Sequence, residues 1–310
     1  MRAEAVTIPA DGAGDPIGPG RAKFVQLLQR HAPGWGVDHR QRVLIVGGCP
    51  EDAAVLRHIG WRHIINSNHA TDLGRLTARG RGVWVALDAE HLALADNSVD
   101  VVFTYDVLHH CRSPHRALNE MVRVARERVI FHEPNDSACM RLLERLGLSA
   151  VYELPAVFDN GCRCGGVNNS PVPNFVYRWT GREVQKTTAA MLAEHPVRVH
   201  ALPYWSFRAS REELGARRDT HLAWLVRRAG NLLPWGLRLL EPLLNAVAPA
   251  QGNKFLCCIE KTARIHPWLC ELGGHITTRA DYRRKHAGRT PRAGALAMSA
   301  RGCPRIIEGK

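Results

Sequence analysis

Apolar residues in the first half of the chain switch between two periods. Phe24, Val25, Leu27 and Leu28 recur at helical spacing over Arg21–His31, and Gly34-Trp35-Gly36 breaks the run. Arg42-Val43-Leu44-Ile45-Val46 is short, β-branched and almost wholly apolar, the pattern of a strand buried on both faces of a parallel sheet, and it stops on Gly47-Gly48. Pro50, Glu51 and Asp52 ahead of Ala53, Val55 and Leu56 read as a helix start, with proline in the first turn and acids against the positive end of the dipole. Strand-like Ile64-Ile65, a helix over 69–78, strands over Val83–Leu87 and Val99–Thr104, a helix over Pro114–Arg126 and a strand over Arg128–Phe131 continue the alternation. Alternation of this kind needs right-handed crossovers and predicts a doubly wound parallel sheet.

Beyond residue 136 the pattern loosens. A helix is expected over Ala138–Leu146, a turn-rich stretch over Asp159–Pro171, and a second helix over Thr180–Leu192, where Thr180 and Glu183 have capping-box spacing. Val197–Ala201 and Asn253–Glu260 supply a sixth and a seventh strand. Between them His221–Ala248 is rich in Leu and Trp, but Arg227, Arg228, Gly230, Pro234, Gly236 and Pro242 interrupt it before an apolar run of about 18 residues can form. A helical cap packed on the sheet is the expectation there, and a weak membrane-surface or lipid-facing contact is the alternative.

Composition is that of a globular protein, with 45% apolar and 23% charged residues in 310. The net charge of +13 is uneven: residues 273–310 hold nine Lys/Arg against two acids, so +7 lies there. With no motif that reads nucleic acid, that stretch is expected to be a solvated tail, and no specific nucleic-acid partner is expected. Nine cysteines without a C-x-x-C pair argue against a disulfide framework and a zinc knuckle, Cys162-Arg163-Cys164 has the wrong spacing for the usual zinc site, and no metal is expected. Residues 1–20, rich in Gly, Pro and Asp, lack a signal-peptide core and read as a flexible leader, which leads to the expectation of a cytoplasmic protein. The expected organisation is therefore this leader, a domain over 21–262 with its core at 40–135 and cap elements at 151–178 and 212–249, and a basic, largely disordered tail over 263–310. The oligomeric state is left open.

In a doubly wound sheet, ligands bind beyond the carboxyl ends of the strands. That directs attention to Gly47–Asp52, Asn66–Asn68, Asp88–Glu90, Tyr105–His110 and His132–Asn135. An adenine needs an acceptor for its amino group and a donor for a ring nitrogen, which Asp88 and the amide of Ala89 supply from one turn. A dinucleotide would need G-x-G-x-x-G, whereas Gly47-Gly48-Cys49-Pro50-Glu51-Asp52 lacks the spacing and sets two carboxylates where phosphates would lie.

The segment Leu87–Pro134, LDAEHLALADNSVDVVFTYDVLHHCRSPHRALNEMVRVARERVIFHEP, closely resembles the core of class I S-adenosylmethionine-dependent methyltransferases of the small-molecule type. The resemblance implies an α/β, Rossmann-like, doubly wound seven-stranded sheet with helical cap and insertions. It further implies S-adenosylmethionine as cofactor, with Gly47, Gly48, Asn66, Asp88, Ala89 and Asp106 about it, and methyl transfer to a small-molecule acceptor at a hydroxyl; Glu51 or Asp52 is expected to replace the missing carboxylate near the methionine ammonium. The glycine loop departs from the family pattern: Ile45, Cys49 and Glu51 stand where an acid and two glycines are usual, and Asn66, Ser67 or Asn68 stands where a ribose-binding acid is usual. A non-catalytic partner protein with a degenerate loop is therefore the competing reading. For the reaction, His110 and His109 are the candidate bases, since a hydroxyl must lose a proton near the transition state. Tyr152, Asn168, Asn169, Tyr177 and Trp179 are candidates for an acceptor pocket.

Overall fold

A computed structural model describes residues 6–8, 19–69, 82–207 and 220–286. The helix expected over 69–78, residues 212–219 of the cap and the tail beyond 286 lie outside these. The chain divides into two units, one of 1–193 with 197–262 and one of 194–196 with 263–310.

The first unit is built on one sheet of β1 (Val6–Ile8), β2 (Val43–Ile45), β3 (Ile64–Asn68), β4 (Gly82–Ala86), β5 (Val99–Tyr105), β6 (Ala125–Pro134), β7 (Arg198–Tyr204) and β8 (Lys254–Glu260). Their order is β1-β4-β3-β2-β5-β6-β8-β7. β4, β3, β2, β5 and β6 run parallel, while β8 is antiparallel to both β6 and β7. The seven expected strands are all present. The leader is corrected in part, because Val6–Ile8 adds an eighth strand antiparallel to β4 and the first helix begins at Pro19.

Side-chain alternation along β2 divides the core between the two faces of the sheet. Val43 and Ile45 join Phe24, Leu28, Trp35, Leu56 and Trp61 on one side. Leu44 and Val46 join Leu118, Met121, Phe131 and Trp179 on the other. The Pro114–Val124 helix shows why such a segment folds there: Ser113 caps it by accepting the Arg116 N–H, Pro114 opens the first turn, and Ala117, Leu118, Met121, Val122 and Val124 form its buried stripe. Burying a residue of Met or Leu size contributes about 1.5–3 kcal/mol, so this stripe and its sheet partners fix the helix against β5 and β6.

Strand order reverses at β2, with β3 and β4 on one side and β5 and β6 on the other. A crevice for ligand forms beyond the strand ends at such a reversal. Gly47 and Val107 meet there, so closely that a Cβ on Gly47 (φ +65°) would lie 2.4 Å from a Val107 methyl.

The second unit contains an antiparallel hairpin of β9 (Leu269–Leu272) and β10 (His275–Thr278), turned through Gly273 and Gly274 at positive φ, followed by a helix over Ala280–His286. This corrects the expectation of disorder for 269–286. An alternating run of only four residues beside a glycine pair is too short to stand out in a basic segment.

Candidate functional site

The loop after β2 is fixed by its neighbours. Gly48 donates its N–H to Ser67 O (2.9 Å), and its own carbonyl accepts from the Asn68 side chain (2.9 Å). Cys49 N–H donates to Asp52 (2.8 Å), closing the first turn of the Pro50–Ile59 helix. Asp52 is buried and ion-paired to Arg21 at 2.9 Å; Arg21 also donates to Cys49 Sγ and lies 4.8 Å over the Tyr105 ring. Burial works to raise the Asp52 carboxyl and the Arg21 cation opposes it. Asp52 is thus committed to the loop, whereas Glu51 is exposed.

Asn66, expected at a ribose, has no accessible surface and donates to Val83 O at 3.1 Å, because it lies in the buried middle of β3 and not at its carboxyl end. Asn68, two residues on at the strand's carboxyl end, carries the partly exposed amide. Asp88 is exposed after β4; its Oδ1 accepts the Glu90 N–H (2.8 Å), and Glu90 in turn accepts the Arg112 N–H (2.7 Å), which ties the turn of Asp88 and Ala89 to the exit of β5.

At that exit Asp106 adopts φ +53°, an αL conformation that aspartate tolerates. Its carboxylate is held by Lys254 Nζ (3.1 Å to each oxygen) and by His132 Nδ1 (3.2 Å), and Tyr204 OH lies 2.7 Å from His132 Nε2. A carboxylate only accepts, so the His132 proton sits on Nδ1. Burial lowers the pKa of this ring, which stacks on Tyr105 at 4.3 Å, and His132 acts as a neutral strut.

The two adjacent histidines divide into different roles. His109 is buried, with Nδ1 2.6 Å from Glu133 Oε2 and Nε2 3.4 Å from Glu153. Glu133 has no accessible surface, and its other oxygen accepts the N–H groups of Val107 (2.8 Å) and Leu108 (2.6 Å). Burial disfavours the His109 cation, but the carboxylates of Glu133, Glu153 and Asp106 outweigh it and hold the pKa up to about 10. His110 keeps 30% of its side chain exposed, with Nε2 3.4 Å from Glu153. Burial and the neighbouring His109 cation lower its pKa below 6.5 against the pull of Glu153. Glu153 is driven down to about 2: burial opposes ionisation, and the hydrogen bond and charge of His109, with further help from His110 and Asn174, prevail.

Donor atoms of His109, His110 and Glu153 lie within 4.8 Å of one another, the spacing of a metal-binding group. With Glu133 and Glu153 both on His109, a proton on that ring offsets one of the two negative charges.

Glu133 adjoins the strand end that sequence reasoning singled out, but Glu153 and Arg21 carry no local signal: each reaches the site only through the tertiary fold. The expected pocket residues disperse. Trp179 is in the core, Tyr177 donates to Glu183, Asn168 accepts the Arg112 N–H and Asn169 accepts the Gly165 N–H; Tyr152, half exposed and edge-on to Phe175, lines a cavity. That cavity, about 550 Å³, is walled by Gly147, Val151, Tyr152, Leu154, Val172 and Thr220. Glu153, between two of these, reaches the histidines instead.

Residues 53–132 match the family described as a methyltransferase domain. No curated protein matches the chain. Among solved structures, a possible histamine N-methyltransferase of Thermotoga maritima is 13% identical, with 78% of this chain and 98% of that one covered and a TM-score of 0.41. A methyltransferase of Mesorhizobium loti is 10% identical over 80% and 100%, TM-score 0.44. A magnesium protoporphyrin IX methyltransferase of Synechocystis with bound S-adenosylhomocysteine is 15% identical over 62% and 83%, TM-score 0.38. The family match over residues 53–132 agrees with the resemblance carried by Leu87–Pro134, and the strand order is that of a Rossmann-like, doubly wound sheet.

Proposed function

We propose that this protein transfers a methyl group from S-adenosylmethionine to a hydroxyl of a small-molecule acceptor. The observation that carries this reading is the division of labour between His109 and His110 at the end of β5: one ring is locked as a cation between two carboxylates, and the other is kept neutral and partly accessible. A neutral imidazole beside the crevice suits general-base chemistry.

The donor set fits the cofactor. Gly47 and Gly48 present backbone where a side chain would obstruct, Asn68 offers an amide in place of a ribose-binding acid, and Asp88 with the Ala89 amide faces solvent beside β4. Arg21 brings a cation to the loop, suited to the carboxylate of the methionine portion, and the exposed carboxylate of Glu51 suits its ammonium. S-adenosylmethionine supplies an already activated methyl group, so the protein needs no nucleophile and contributes by positioning and by accepting a proton.

Glu153 sits at the Nε2 side of His110, which favours the tautomer with hydrogen on Nε2 and leaves the Nδ1 lone pair as the base. When Nδ1 takes the hydroxyl proton, Glu153 stabilises the imidazolium that results. His109 is a positioning residue: its ion pairs fix both Glu153 and the Val107–Leu108 backbone.

The test is transfer of labelled methyl from S-adenosylmethionine to panels of hydroxyl and amine acceptors, followed by His110→Gln on the best of them. A fall in kcat of about 10²–10⁴-fold with cofactor affinity unchanged is expected. Unchanged kcat removes His110 as the base, and transfer confined to amines removes the hydroxyl assignment. Absence of cofactor binding would instead favour the non-catalytic reading, for which the substituted glycine loop is the supporting feature.

A further inference from the structure

The helix over Leu232–Val247 is amphipathic in the inverse sense. Two of its polar side chains face the protein: Glu241 accepts the Phe207 N–H at 2.8 Å, and Asn245 accepts the Trp205 N–H and donates to the Trp205 carbonyl, each at 2.9 Å. Leu232, Trp235, Leu239, Leu240, Leu243 and Val247 form a continuous stripe at helical spacing on the opposite side, and each is between 47% and 75% exposed. Single exposed leucines need no explanation, but six on one face do. Trp224, half exposed on the preceding His221–Ala229 helix, extends the apolar surface.

Charge indicates what covers this face. The only ionic side chains between residues 222 and 252 are Arg227, Arg228, Arg238 and Glu241, and the acid is the one turned toward the protein. All three arginines are exposed, and Arg228 lies 5.1 Å over the Trp224 ring. Apolar side chains with tryptophan on one helix face, bordered by arginine and free of exposed acid, match the boundary between acyl chains and anionic headgroups. No described helix is long and apolar enough to cross a membrane, so the contact is with a surface.

We infer that the Leu232–Val247 helix docks this protein on an anionic lipid bilayer, with Leu239 and Leu243 at the centre of the embedded stripe and Arg227, Arg228 and Arg238 at the headgroups. The helix over His221–Ala229 begins against the wall of the cavity, since His221 N–H donates to Gly147 O at 2.7 Å and Thr220 and Gly147 both line it. The inference stands apart from the methyl-transfer reading, because attachment is measured without cofactor or acceptor.

The test is flotation of the full chain with vesicles of phosphatidylcholine and phosphatidylglycerol at physiological salt, set against phosphatidylcholine alone. The native chain is expected to float with the anionic vesicles. Leu239→Gln with Leu243→Gln leaves the net charge unchanged and is expected to lower partitioning at least tenfold; Arg227→Gln with Arg228→Gln is expected to lower it several-fold on anionic vesicles only. Both leucines are more than half exposed, so packing is not disturbed, and the end-of-stripe pair Leu232→Gln with Val247→Gln gives an independent second variant. Flotation of the Leu239/Leu243 and Leu232/Val247 glutamine pairs equal to that of the native chain would show that basic charge elsewhere in the chain attaches it and would overturn the inference. So would failure of the native chain to float, or a dimer in sedimentation that the glutamine pairs dissociate, which assigns the face to a second copy.

Discussion

Replacing Glu133 by glutamine removes one negative charge from the centre of the site while preserving the side chain's shape. The amide oxygen can still accept the N–H groups of Val107 and Leu108, but an NH₂ group then confronts the His109 proton that Glu133 Oε2 holds at 2.6 Å. Breaking a buried ion pair at one end costs about 3–5 kcal/mol. The titration of His109 gives an independent figure: the interval from 6.5 to about 10, at about 1.36 kcal/mol per pH unit, corresponds to roughly 5 kcal/mol. Because the folded pKa lies above the unfolded one, this stabilisation is fully present below pH 6.5 and is lost as pH rises toward 10. Urea unfolding followed by circular dichroism across that range is expected to show native stability declining by up to about 1.4 kcal/mol per pH unit. Glu133→Gln is expected to be less stable by about 3–5 kcal/mol at the acid end and to converge on the native protein at the alkaline end. A native curve that stays level over this range, or a gap between the two proteins that does not change with pH, would refute the ion-pair account.

Other perturbations probe separate parts of the site. Gly47→Ala places a Cβ against the Val107 side chain at a positive φ, so a loss of about 1–3 kcal/mol in thermal unfolding is expected, together with weaker cofactor binding; native-like behaviour on both counts contradicts the close approach of the two loops. Arg21→Met leaves buried Asp52 without its cation and is expected to lower stability by about 3–5 kcal/mol, whereas an additional Asp52→Asn should recover part of that loss. Met121→Ala opens a cavity beneath the sheet and should cost about 2–5 kcal/mol without altering cofactor affinity. Because a proton on His109 already occupies the position between Glu133 and Glu153, methyl transfer is expected to persist unchanged in EDTA; loss of activity restored by a divalent metal would reassign His109, His110 and Glu153 as ligands.

Strands that are apolar throughout, such as Val43–Ile45, or nearly so, such as Val99–Tyr105 with Asp100 and Thr104, declare themselves in sequence because burial on both faces leaves little room for polar residues. For the same reason the strand ends, and with them Gly47, Asp88 and Asp106–His110, are legible in the residue pattern alone. Val6-Thr7-Ile8 is not, because three β-branched residues in a Gly- and Pro-rich leader carry too little periodicity to register. Asn66 and Asn68 lie two residues apart on one face of β3, and no residue pattern shows that the first sits in the buried middle of the strand and the second, partly exposed, at its carboxyl end. The pairing of His109 with Glu133 and Glu153 spans 24 and 44 positions and depends on the strap at 151–154 folding back over β5, for which no local pattern exists. The Leu232–Val247 helix is recognisable in sequence from its Leu and Trp content, but which face turns outward is decided by Glu241 and Asn245 binding the backbone at 205–207.

Calorimetric titration with S-adenosylhomocysteine, on the native chain and on Asp88→Ala, addresses the cofactor crevice most directly. The expected result is saturable one-to-one binding by the native chain and at least tenfold weaker binding by the variant, whose fold should be unaffected because Asp88 is exposed. A folded native chain that yields no heat, or a variant that binds as tightly as its parent, would contradict the assignment of the β2–β4 edge as an adenosine site.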